Sequence, residues 1–141
     1  QLDPKEHIMP ILVDKAMSGE QFTVHGDDYD TIDGTPVRDY THVFDIATAH
    51  LASLHYLFDG GKSGIFNIGA GSPKSIKQVI AEVEAQTEKT VNVEYGPKRE
   101  GDAAKTDANI SKAMDLFGWE PVHSLEDIVR SEIEYQTSKK K

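Results

Sequence analysis

The stretch Asp33-Gly34-Thr35-Pro36-Val37-Arg38-Asp39-Tyr40-Thr41-His42-Val43, running straight into Asp45-Ile46-Ala47-Thr48-Ala49-His50, decides how this sequence is read. It puts a guanidinium in a loop that can be buried, directly ahead of an amphipathic helix. A second cluster, Pro97-Lys98-Arg99-Glu100-Gly101-Asp102, follows about sixty residues on. A planar guanidinium pairs bidentately with phosphate oxygens, so two such turns, each joined to a helix, can grip both phosphates of a diphosphate. On residue types alone an equal alternative stands, in which Arg38 and Arg99 are neutralised by Asp39, Glu100 or Asp102.

Working outward, His7 to Ser18 carries Ile8, Met9, Ile11, Leu12, Ala16 and Met17 on helical spacing. Pro10 is tolerable in a first turn and Gly19 is placed to cap the end. Phe22-Thr23-Val24 reads as a short strand, and Gly26 with Asp27, Asp28, Asp30 and Asp33 as a long polar loop. Val43 to Phe58 places Ile46, Ala47, Ala49, His50, Leu54, Leu57 and Phe58 on helical spacing before Asp59-Gly60-Gly61. Gly64-Ile65-Phe66-Asn67-Ile68-Gly69 is predicted to be a short buried strand, because its apolar residues are consecutive and bounded by glycines.

Ser75 opens a helix with Gln78 three residues on, the capping-box arrangement, and Ile76, Val79, Ile80 and Val83 form its inner stripe. Val91-Asn92-Val93-Glu94-Tyr95 alternates like a half-exposed strand. Ile110 to Phe117, with Gly118 behind it, is a short helix, and Ser124 with Asp127 opens a last one through Tyr135. Lys139-Lys140-Lys141 reads as a frayed tail after one domain over residues 1–138. Helices alternating with short strands, without an internal repeat, make the fold class mixed α/β.

At 141 residues with 38% apolar and 28% charged side chains, the chain can build one ordinary core. Twenty-four acidic against fifteen basic side chains leave a net charge of -9, which would repel nucleic acid or an anionic membrane over any extended surface. An anionic ligand must therefore be held locally. The absence of cysteine excludes a disulfide scaffold and thiolate chemistry and is compatible with a cytoplasmic setting. No apolar run approaches the ~18 residues of a membrane span. Gln1-Leu2-Asp3-Pro4-Lys5-Glu6 is not a signal peptide; it reads as a polar turn cut from inside a larger protein.

Several motifs have bland readings that outweigh the sharp ones. Gly69-Ala70-Gly71 lies between a strand and a helix, where glycines can admit a phosphate, but Lys74 stands where a dinucleotide fingerprint would want a third glycine. A tight turn is the better reading. Tyr135-Gln136-Thr137-Ser138-Lys139 spells Y-x-x-x-K, yet its lysine belongs to a terminal basic tail where neither burial nor a neighbouring cofactor could depress the tyrosine pKa. No H-x-x-x-H or H-E-x-x-H occurs, and His50 and His55 are five apart, so no metal site is expected. A calcium loop over Asp28 to Asp39 fails because Ile32 takes a ligand position and Asp33 the position that requires glycine.

Taken together, His7-Ile8-Met9-Pro10, Asp33-Gly34-Thr35, Val37-Arg38-Asp39-Tyr40-Thr41-His42-Val43, Phe66-Asn67-Ile68-Gly69, Lys98-Arg99-Glu100-Gly101-Asp102, Ser111-Lys112-Ala113 and Leu116-Phe117-Gly118-Trp119 closely resemble the C-terminal part of the UDP-glucose 4-epimerases. These enzymes belong to the extended short-chain dehydrogenase/reductase family. The resemblance covers essentially the whole chain, and other nucleotide-sugar epimerases and dehydratases share the R-D-Y-x-H-V core. It implies the substrate-binding part of such an enzyme, without the N-terminal Rossmann core that supplies the NAD loop and the catalytic Tyr and Lys.

Carried over by position, the resemblance assigns the pyrophosphate of a UDP-sugar, UDP-glucose or UDP-galactose, to Arg38 and Arg99. It assigns the uridine ribose to Asp102, and the uracil to Thr23 and His25 with Ile8 beside it. His25 stands where a larger aromatic is expected, and Thr106 where some epimerases place a tyrosine. No catalytic residue, metal ligand or NAD-binding residue is expected in this chain; NAD belongs to the full-length enzyme. The implied partners are the missing NAD-binding domain and, through apolar surface left uncovered, other copies of the chain.

Overall fold

The computed structural model describes residues 7–139. In chain order the elements are α1 (Ile8–Ser18), β1 (Phe22–His25), β2 (Val37–Arg38), α2 (Val43–Phe58), β3 (Lys74–Ser75), α3 (Ile76–Thr87), β4 (Val93–Gly96), β5 (Lys105–Thr106), α4 (Ser111–Phe117) and α5 (Leu125–Lys139). The class is mixed α/β. β1 and β4 pair in parallel, with Phe22 opposite Val93 and His25 opposite Gly96. β2 lies at the centre of a second sheet, antiparallel to β3 and parallel to β5.

The main core forms where α1, α3 and α5 pack against the β1–β4 pair. α1 contributes Leu12 and Val13, both at 0% exposure, and ends on Gly19 at φ 76, whose N–H donates to the Lys15 carbonyl at 2.9 Å. An L-residue with a side chain would be strained in that left-handed cap. α3 starts with the capping box read from the sequence: the Ser75 hydroxyl accepts from Gln78 N at 3.1 Å, and the Gln78 side chain accepts from Ser75 N at 2.9 Å. Its Val79 and Val83 are fully buried, as is Val129 of α5. Each such side chain stabilises the fold by roughly 1.5–3 kcal/mol. Gln136 ties α5 back to α1 by donating to the Pro10 carbonyl at 2.8 Å.

Two readings are corrected. The segment 64–69 forms no strand, and Ile65 is 88% exposed, because no described strand lies beside it to share its backbone hydrogen bonds. α2 forms over the residues read for it and packs on α4 through Ala49, while Asp45 turns to Val122 and His123 and Leu54, Leu57 and Phe58 are exposed. Ala49 and Ala52 pack with Ile110, Ala113 and Trp119 in a second, smaller core, and the outer part of the helix is exposed. Lys139 is the last residue of α5 and not part of a tail; Lys140, Lys141 and the opening Gln1–Glu6 turn lie outside the described residues. The two-residue strands β2, β3 and β5 carry no periodicity that a sequence reading can detect.

Candidate functional site

Arg38 closes β2, and its backbone is fixed from both sides. Val37 N donates to Ala104 O at 2.9 Å and Ile76 N to Pro36 O at 3.1 Å. The loop before it is folded around Asp33, whose carboxylate accepts from Thr35 N at 3.0 Å, from the Thr35 hydroxyl at 2.6 Å and from the Ser75 hydroxyl. Lys77 Nζ donates to the Asp33 carbonyl at 3.0 Å. Burial works to raise the Asp33 carboxyl, but the bonds from Ser75 and Thr35 and the Lys77 charge hold it below its ordinary value. Of the other carboxylates of this loop, Asp28 pairs with Lys98 at 3.0 Å. Among the described residues no cluster of His, Asp or Glu is arranged to hold a metal ion.

The guanidinium of Arg38 enters a cavity of about 550 Å³. All six candidates, Ile8 of α1, Thr23 and His25 of β1, Arg38, Arg99 and Asp102, line it, joined by Lys15, Gln21, Phe22 and Tyr40. Sequence reasoning had not anticipated Lys15, Gln21, Phe22 or Tyr40. Arg38 Nη1 donates to the Val37 carbonyl at 2.9 Å, and Nη2 lies 3.8 Å from Asp102 Oδ1. That separation is beyond a hydrogen bond, so most of the guanidinium's donors remain available to a guest. Neutralisation within the loop is thus present as a loose Arg38–Asp102 pair.

Tyr40 closes one wall with a buried hydroxyl that has no hydrogen-bond partner. Burial pushes its phenol up to about 12, against the lowering effect of Arg38. It is a neutral donor at any physiological pH.

The Gly69-Ala70-Gly71 turn is occupied from within. Ala70 N donates to Asp39 Oδ1 at 2.8 Å and Gly71 N to Asp39 Oδ2 at 3.3 Å. A carboxylate of the chain itself sits where a phosphate would, so these amides form no dinucleotide cradle. Tyr135 and Lys139 do interact: a hydrogen bond from Lys139 draws the phenol below its ordinary value, and the ammonium lies 4.6 Å from the ring centroid. The lowering comes from this hydrogen bond and not from burial, which acts to raise the phenol, and Tyr135 is exposed on α5.

A histidine cluster went unread. His42 caps α2 by accepting from Phe44 N at Nδ1, 3.1 Å away, and stacks on His123 with ring centroids 4.2 Å apart. Asp45, 1% exposed, accepts from His123 Nδ1 at 2.7 Å, His123 N at 3.1 Å and Val122 N at 3.2 Å. The only clue was an aspartate within a helix's apolar run; its partners lie some seventy-eight residues away. A second groove of about 330 Å³, between α2 and residues 62–68, is lined mainly by apolar groups including Tyr56, Phe66 and Phe117.

Comparison with known proteins gives this geometry a context. The NAD dependent epimerase/dehydratase family matches residues 2–69. The UDP-glucose 4-epimerase of Rhizobium leguminosarum bv. trifolii is 42% identical over 129 residues, which is 91% of this chain. By sequence and fold, the chain is similar to the UDP-glucose 4-epimerases over nearly all of its own length. The epimerase of Rhizobium meliloti (strain 1021) is 41% identical over 92% of the chain. Among solved epimerases, that of Stenotrophomonas maltophila, with bound NAD and formylated UDP-arabinopyranose, superposes with a TM-score of 0.94 at 35% identity over 99% of the chain. That of Bifidobacterium longum, in complex with NAD+ and UDP, gives 0.87 at 34% identity over 95%. The chain spans about two fifths of the length of these relatives: 39% and 40% of the two sequences, 42% and 40% of the two structures. The epimerase resemblance read from the motifs is therefore upheld, for part of an epimerase's length.

Proposed function

We propose that this chain is the UDP-sugar-binding part of a UDP-glucose/UDP-galactose 4-epimerase that works in the cytoplasm. The observation that carries the reading is the cavity in which Arg38, Arg99 and Asp102 meet Thr23 and His25 of β1. Two guanidinium groups suit a diphosphate, Asp102 suits ribose hydroxyls, and the imidazole of His25 offers a face for a base. The UDP held by the Bifidobacterium longum relative supports this assignment.

NAD, in the complete enzyme, supplies the reversible oxidation that lets C4 of the sugar change configuration. With the Gly69–Gly71 amides engaged by Asp39, the cofactor falls to the part of the enzyme outside this chain. The role of the present residues is to anchor the nucleotide while leaving the sugar free to turn, which uses binding energy remote from the reacting carbon. The exposed apolar face of α2, with Ile65, is where the NAD-binding domain would pack; left bare, the same face would draw copies of the chain together.

Three charge-assisted contacts at ~1.5–3 kcal/mol each give roughly 5–9 kcal/mol gross, against about 4–15 kcal/mol for association. The isolated chain should therefore hold UDP weakly and catalyse nothing. Titration with UDP followed by NMR, alongside thermal melts, tests the reading. Arg38→Ala should weaken UDP at least tenfold with the melt unchanged. If it lowers the melting temperature and leaves UDP affinity intact, Arg38 is structural and the reading fails.

A further inference from the structure

We infer that Asp39 is the positioning residue for Arg38, setting the direction of the guanidinium without touching the ligand. The inference rests on the cavity being a diphosphate site, and it adds a residue that this reading does not itself require. Arg38 and Asp39 are neighbours in the chain and serve opposite directions: one reaches the cavity, the other turns into the backbone behind it.

The Asp39 carboxylate is fully engaged there. Oδ1 accepts from Ala70 N at 2.8 Å, and Oδ2 accepts from Gly71 N and from Ala108 N, each at 3.3 Å. The donors come from two separate segments, one running into β3 and one leaving β5. These are the two strands that flank β2. A single carboxylate thus joins all three members of the sheet at the end where Arg38 emerges.

That link matters because the sheet is so small. β2 contributes only Val37 and Arg38 to either ladder, and a pair so short is weakly held in register. The guanidinium has few restraints of its own, a bond to the Val37 carbonyl and the 3.8 Å approach to Asp102. The backbone at Arg38 and Asp39 therefore decides where it points. Gly69 shows how closely the carboxylate is fitted. A Cβ there would lie 2.5 Å from Asp39 Oδ2 and 2.7 Å from Ala108 Cβ, and the glycine is not at positive φ, so space and not backbone conformation excludes a side chain. With both oxygens committed to amides, Asp39 is no counter-ion for Arg38. The salt-bridge alternative fails for that residue.

Two variants attack the link from opposite sides. Asp39→Asn keeps the shape but turns one acceptor oxygen into an amide that faces a backbone N–H. Gly69→Ala leaves the charge and displaces the carboxylate. The readout is UDP affinity by NMR titration of the 141-residue chain, in the Arg38 and Arg38→Ala backgrounds, with a melt for each protein. We expect either variant to weaken UDP about tenfold when Arg38 is present, and to add no loss once Arg38 is alanine, as residues acting through one group must. Unchanged affinity with Arg38 present, or losses that multiply in the double variants, would overturn the inference. If Asp39→Asn does not fold, Gly69→Ala decides by the same criteria. If the wild-type chain shows no affinity for UDP, the proposed function fails separately. Amide exchange at Val37 then judges Asp39: faster exchange in Gly69→Ala supports the link, and unchanged exchange refutes it.

Discussion

Replacing Asp45 with alanine removes the one carboxylate that holds the segment before α5 against the start of α2. The loss can be worked from its contacts. Asp45 accepts bonds from His123 Nδ1 at 2.7 Å, His123 N at 3.1 Å and Val122 N at 3.2 Å. Hydrogen bonds to a charged group contribute about 1.5–3 kcal/mol each, roughly 4.5–9 kcal/mol gross. Water recovers part of this, because Val122 is 73% exposed and its amide becomes accessible once the carboxylate is gone. A net loss of about 2–4 kcal/mol follows, or roughly 6–12 °C in melting temperature at ~3 °C per kcal/mol for a chain of this size.

The pH dependence sharpens the test. Burial acts to raise the Asp45 carboxyl, but the bonds from His123 and Val122 outweigh it and hold the group below its ordinary 3.8. A depressed carboxylate contributes stability that is present above its unfolded value and lost as pH falls through the folded one. Melts of wild type and Asp45→Ala should therefore differ most at neutral pH and converge below about pH 4. A difference under about 2 °C at neutral pH, or one that widens in acid, would refute the reasoning.

Two further outcomes follow from neighbouring groups. Burial, and then the charge of His123, depress His42 below its ordinary 6.5 against the opposing pull of Asp45 and Asp127, so protonation costs the folded state. Its Nδ1 would also lose the ability to cap Phe44 N. Stability should fall as pH drops below about 6.5, and His42→Asn, which caps without titrating, should flatten that part of the melting curve. Tyr40, raised to about 12, contributes stability present below its unfolded value near 10 and lost as pH rises through the folded one. A phenolate absorbance titration should show one tyrosine ionising about two units late, and Tyr40→Phe should remove it.

What could be read from the residues follows the range of the forces involved. Helix ends are set by neighbours three or four positions away, so Gly19, the Ser75–Gln78 box and Gly118 mark their helices correctly. The pairing of Phe22 and Val93 strands into one parallel ladder was not legible, because it depends on the packing of α1, α3 and α5. The candidate residues Ile8, Thr23, His25, Arg38, Arg99 and Asp102 were found by motif, and the fold brings them to one cavity.

By itself, then, the sequence determined where most helices lie, the mixed α/β class, the acidic charge and the two arginine turns, since each depends on local periodicity or composition. Tertiary structure alone decided that Asp39 fills the Gly69–Gly71 amides, that Asp45 holds His123, that α2 leaves Leu54, Leu57 and Phe58 exposed and that residues 64–69 join no described strand. Every one of those outcomes depends on which groups meet across tens of residues. A hydrogen bond or a buried face is settled by that meeting and leaves no period in the chain for a reader to find.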